Sequence, residues 1–278
     1  MKFQMLPRLT SMLAVWLVLL LWQLSAQHAG DLGALAFLLV LGLSVTLSGA
    51  EWALCRRHAF RSQYLVDDGW LDRLMRIAPL VVTAEIVKAL LLTLLLMTAA
   101  LSLDLRGWSV LLLDVVILAL LMPRLPGLLA DAVKRTYLFA LARRWAVWFS
   151  TLLLWGESIA VLLLAGGDDY RGLSWRAALE YSMPDGRVQA QGLVDAMLRL
   201  HAGAKGLGAW SMSVLRDGGS PDQQVAALLV VAAALSVSLL VALAYSQALI
   251  GALARPLAIW RPRPRRQAGG EVFEAWWL

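Results

Sequence analysis

The chain has 278 residues, 60% of them apolar or aromatic and 16% charged, with a formal net charge of +6. An ordinary soluble domain carries roughly 25% charged residues and a disordered chain has low hydrophobicity, so both classes are excluded. Cys55 is the sole cysteine, which excludes a disulfide-stapled module. What remains is an all-α, polytopic integral membrane helical bundle.

A helix needs about 20 mostly apolar residues to cross a hydrocarbon core of about 30 Å, because each backbone polar group must find its partner within the segment. Six stretches are predicted to span: residues 9–26, 32–54, 77–103, 108–122, 145–165 and 225–253. The fourth is the shortest. Glycine and proline mark the boundaries, with Gly30 between the first two spans, Pro79 near the start of the third, Pro123 and Pro126 after the fourth, and Gly166 and Gly167 after the fifth. Trp22, Trp52, Trp108, Trp145, Trp148 and Trp260 fall near span ends, where an amphipathic indole suits the headgroup zone.

Seventeen of the 25 lysines and arginines fall at the N-terminus, in the segments around Arg56–Arg76 and Arg124–Arg144, and in the tail from Arg255 to Arg266. Basic residues are retained on the cytoplasmic side, so both termini are expected there, in agreement with an even number of spans. The expected organisation is five spans with short loops over residues 1–165 and a partly helical extracytoplasmic segment over 166–224. A sixth span over 225–254 and a basic cytoplasmic tail over 255–278 follow. The first span ends in Leu24-Ser25-Ala26; leucine fits the small-x-small cleavage pattern poorly, so an uncleaved helix is expected rather than a signal peptide.

Four ionisable residues lie deep in spans: Glu85, Lys88, Asp114 and Glu157. At 1.5 Å per residue, counted from the span ends, Lys88, Glu157 and Asp114 fall about 16, 18 and 21 Å from the inner boundary. Two readings follow. In one, Lys88 is neutralised by Asp114 at the midplane while Glu157 and Glu85 take up a proton or grip a cation, because an unpaired buried carboxylate holds its proton more tightly. In the other, Glu85 and Lys88 neutralise each other three residues apart on one helix face, and Asp114 and Glu157 bond to neighbouring helices. Glu51, near the inner end of the second span, is expected to be solvated or paired.

In the extracytoplasmic segment, Ser174 is a helix cap preceding Trp175, Leu179 and Met183, and Pro184-Asp185-Gly186 reads as a turn. A second helix through Leu193, Val194, Met197, Leu198 and His201 is predicted to end at the glycines 203, 206 and 208. His201 is read as a packing residue. On the inner side, Leu129, Val133, Tyr137, Leu138 and Leu141 recur at helical spacing among basic residues, as in a helix lying on an anionic leaflet. Arg261, Arg263, Arg265 and Arg266 are expected to contact anionic lipid. The apolar end with Phe273, Trp276, Trp277 and Leu278 is expected to dock on a partner or return to the membrane interface.

Enzyme signatures are lacking. The three histidines are dispersed, no H-E-x-x-H or G-x-S-x-G run occurs, and Ala202-Gly203-Ala204-Lys205-Gly206 lacks phosphate-loop order. No span carries arginine at every third position and no T-V-G-Y-G filter precedes the last span, so a voltage-gated channel is not the expectation. No cofactor, metal or nucleic-acid partner is expected; the partners are the bilayer and other membrane subunits or a second copy. The expected function is a non-catalytic membrane subunit or scaffold of a larger envelope assembly in a bacterial inner membrane. The alternatives are a self-sufficient transporter or channel using Lys88, Asp114 and Glu157, and an intramembrane or lipid-modifying enzyme.

Overall fold

The computed structural model describes residues 5–64, 78–133, 135–164, 170, 173–183 and 192–254. Among them every regular element is a helix. The first, α1 (Met5–Tyr64), breaks at Gly30, whose backbone (φ 56°, ψ −175°) lies in the left-handed region that only glycine enters without steric cost. The break is a hairpin: the rings of Trp22 and Phe37 stand 5.5 Å apart, whereas fifteen residues of straight helix would separate them by about 22 Å. One residue thus joins the first two predicted spans without a loop.

Helix α2 (Ala78–Ala100) runs back beside α1, and a turn at Asp104 leads into α3 (Leu105–Leu121), where the Asp104 carboxylate caps the helix by accepting from Gly107 N at 2.7 Å. After the short α4 (Leu125–Leu129), which has Pro126 in its first turn, the chain enters α5 (Arg135–Leu164). The basic amphipathic stretch is not a separate surface helix; its second half is the start of α5, unbroken into the fifth span, because nothing between Arg135 and Leu164 interrupts helical hydrogen bonding.

Two further helices follow, the second of which packs onto the main core through Leu193, Val194 and Met197. In α6 (Trp175–Ser182) the Ser174 hydroxyl accepts from Ala177 N, as its sequence position implies. The next helix, α7 (Leu193–Asp217), runs through Gly203, Gly206 and Gly208 instead of ending there. Two of these glycines allow close packing: a Cβ at Gly206 would meet the Ala178 carbonyl at 2.9 Å, and one at Gly203 would meet Leu179 at 3.0 Å. The helix stops instead at Gly218 (φ 77°). The last, α8 (Pro221–Gly251), starts four residues before the predicted span because Ser220 and Gln223 form a reciprocal capping box with Pro221 in the first turn.

Among the described residues, five stretches are long and apolar enough to cross a membrane: Pro7–Ala26, Gly30–Arg57, Val82–Ala100, Tyr137–Leu162 and Pro221–Gly251. The 17 residues of α3 span about 25 Å and fall short of that criterion, though α3 packs within the same bundle. The last third of α8 is its centre. Residues 244–251 are all buried, and a Cβ on Gly251 would collide with the Ser44 carbonyl of α1. A second, smaller core unites Tyr170, Ala178 of α6, Trp210 of α7 and Ala227 of α8.

Two groups of polar contacts mark the ends of the bundle. At one end Gln23 donates to the Leu103 carbonyl (2.7 Å) and accepts from Trp108 Nε1 (2.6 Å), and Asp31, next to the hairpin tip, accepts from Leu193 N at the start of α7 (2.8 Å). At the other, Arg143 pairs with the buried Glu51 at 3.1 Å and donates to the Leu253 carbonyl at 3.0 Å. There Arg144 also lies over the rings of Trp52 and Trp148.

Candidate functional site

The sequence singles out Glu85, Lys88, Asp114 and Glu157, and the fold does not bring them together. Glu85 and Lys88 form an ion pair with each other on α2. The pair sits where Gly49 of α1 leaves room, since a Cβ there would strike the Glu85 carboxylate. Gly49 is two residues from Glu51, so this pair lies close to the Arg143 end of the bundle. Asp114 lies deeper, level with Ser150, which is about 10 Å beyond Arg143 along α5. Glu157, half-buried, is about 10 Å farther along the same helix. Three levels therefore replace the single level expected from sequence. Counting from span ends assumes that each helix begins at the boundary, but α5 begins at Arg135, ten residues before the predicted span.

Around Asp114 the structure assembles a different site. The carboxyl group is fully buried. Its Oδ2 lies 2.7 Å from the Ser150 hydroxyl of α5, which in turn lies 2.8 Å from the Ser246 hydroxyl of α8. Thr151 donates to the Val147 carbonyl at 2.7 Å and is 3.3 Å from Ser246, which donates to the Ala242 carbonyl at 2.8 Å. The neighbouring Tyr245 hydroxyl donates to the Leu111 carbonyl at 2.8 Å, one turn before Asp114 on α3. Asp114 Oδ1 accepts no hydrogen bond from any described group. One acid and three hydroxyls thus tie α3, α5 and α8 together inside the apolar core. Sequence reasoning missed the hydroxyls; the available signal was Ser150-Thr151 and Ser246 inside otherwise apolar spans, since small polar residues there often face a helix neighbour.

Helices α6 and α7 carry a second feature. An apolar groove of about 420 Å³ opens between α6 and α7, lined by Leu179, Met183, Leu200, Gly203 and Leu207, with Arg199 at its side. Arg199 Nε is held by Asp195 at 3.0 Å, one turn earlier. His201 is half-buried on α7; burial and the nearby Lys205 push its imidazole below the ordinary range, keeping it neutral at pH 7. Among the described residues no three His, Cys, Asp or Glu side chains gather as metal ligands would. The anionic-lipid residues Arg261, Arg263, Arg265 and Arg266 and the tail residues Phe273, Trp276, Trp277 and Leu278 lie outside the described residues.

No family model, no characterised protein and no solved structure matches the chain.

Proposed function

We propose that the chain is a non-catalytic, multi-pass subunit or scaffold of a larger envelope assembly, with six crossings, both termini cytoplasmic, in a bacterial inner membrane. The two-ended arrangement of polar contacts supports the alternation of the helices. Arg143, Arg144 and Trp148 cluster at the end that the positive-inside rule assigns to the cytoplasm, and the Gly30 hairpin, Trp108 and the start of α7 mark the opposite end.

The observation that carries the reading is an apolar stripe along α8. The helix has 31 residues and is about 46 Å long, against a core of about 30 Å. With its inner end held by the Arg143 bond to Leu253, an upright α8 projects roughly its first ten residues beyond the lipid. Ala226, Ala227 and Val230 face the small core around Trp210. Val225, Leu228 and Leu229 turn away from it, 59%, 56% and 67% exposed. In water such a stripe is costly, and exposed apolar patches of this kind mark association sites.

The transporter reading draws less support, since Lys88 is engaged by Glu85 and the three charges stand at different depths. Co-purification in mild detergent tests the subunit reading, using the intact chain and Leu228→Glu/Leu229→Glu. A defined assembly that the double substitution dissolves, while the chain stays folded, is expected. A chain that runs alone in both forms removes the basis for the reading.

A further inference from the structure

The hydrogen-bond geometry around Asp114 fixes the number of protons the cluster must hold. Four contacts are 2.8 Å or shorter: Thr151 to the Val147 carbonyl, Ser246 to the Ala242 carbonyl, Ser150 to Ser246, and Ser150 to Asp114. Each requires one hydrogen between its two oxygens, because two lone pairs at that distance repel. Three hydroxyls supply three hydrogens, one each. Thr151 uses its own on Val147 and Ser246 uses its own on Ala242, so Ser150 must donate to Ser246. The contact between Ser150 and Asp114 is then left without a hydrogen unless the carboxyl group brings one.

We propose that Asp114 is a proton-binding site: its carboxyl group is neutral at pH 7, carries the proton on Oδ2 and donates it to Ser150. The proton comes from water, converting carboxylate and hydronium to carboxylic acid and water, with no other reactant. The ionised form would lose one of the four bonds, and Oδ1, which has no donor, would carry buried charge unrelieved. Among the described residues no ion pair sets a cation against the group to hold it ionised. From α5 it meets the Ser150 hydroxyl, behind which stand Thr151 of α5 and Ser246 of α8, and the nearby Tyr245 phenol of α8 gives its own proton to the Leu111 carbonyl. Lys88 is engaged by Glu85, and Arg143 and Arg144 are at the cytoplasmic end. The neutral acid is both donor and acceptor, so the bound proton completes the tie among α3, α5 and α8.

Infrared spectroscopy of the full-length protein in phosphatidylcholine vesicles at pH 7 tests the assignment. Subtracting the spectrum of Asp114→Asn from that of the wild type should leave one carboxylic-acid carbonyl band per chain. This band should move to lower frequency in D2O and to higher frequency in Ser150→Ala, where its hydrogen-bond acceptor is gone. A difference spectrum holding only carboxylate bands overturns the proposal. Failure of Asp114→Asn to fold counts against it too, because the asparagine amide presents a neutral donor to Ser150 as the acid does.

Discussion

Glu51 and Arg143 illustrate what a single pair does at the edge of an apolar core. Glu51 is buried, Arg143 is four-fifths buried, and the arginine also bonds the Leu253 carbonyl, so one guanidinium joins α1, α5 and the end of α8. Removing one partner of such a pair leaves the other charge buried and costs about 3–5 kcal/mol, whereas replacing both with apolar groups costs much less. Arg143→Leu should lower the denaturation midpoint in detergent, and Glu51→Leu/Arg143→Leu should recover much of the loss; equal losses in the two would show that the pair is not the source. His201 gives a pH-dependent case. Its imidazole is held below the ordinary range by burial and Lys205, so the unfolded chain binds the proton more readily than the folded one. Its contribution to stability is therefore present above the unfolded value and falls as the pH drops through the window below it. The NMR midpoint of His201 should lie below that of free histidine and rise in Lys205→Gln. A midpoint at or above the free value would contradict the burial.

At the scale of elements, glycine and serine positions were the most instructive. Gly30 and Ser174 act as their sequence context implies, because a positive φ and a cap bond are local events. Gly203 and Gly206 have the look of a helix end in sequence but are contact points for α6, which only the packed partner reveals. The start of α8 precedes its apolar run for the opposite reason: the run begins at Val225, but the capping box at Ser220 and Gln223 is polar. Ser220→Ala removes half of that box and should cost about 1 kcal/mol. Its sign is faster amide exchange confined to the first turn of α8, and unchanged exchange there would refute the capping role. Gly206→Leu should drive α6 from α7 and open the Trp210 core to limited proteolysis while leaving the bundle intact.

For the whole molecule, the long apolar runs made the helical bundle legible. The site was not. Depth along a helix can be counted from the sequence, but rotation about its axis and the level of its neighbours are set by packing. Asp114 was therefore recognisable as costly, while its partners Ser150 and Ser246 were not. The short α3 is the element on which six crossings depend. In a Cys55→Ser background, single cysteines at Leu105 and Leu128, both largely exposed, should differ in sealed inside-in cells. The first should react with an impermeant maleimide from outside and the second only after lysis. Equal reactivity would mean that α3 does not cross.

The central claim is that the projecting face of α8 is covered by a partner. Photocrosslinking from Leu229 in living cells tests it, with Leu43 on the exposed side of α1 as the lipid-facing reference. The account predicts a protein adduct of one defined mass from Leu229, abolished by Leu228→Glu, and none from Leu43. Lipid adducts alone from both positions would contradict it.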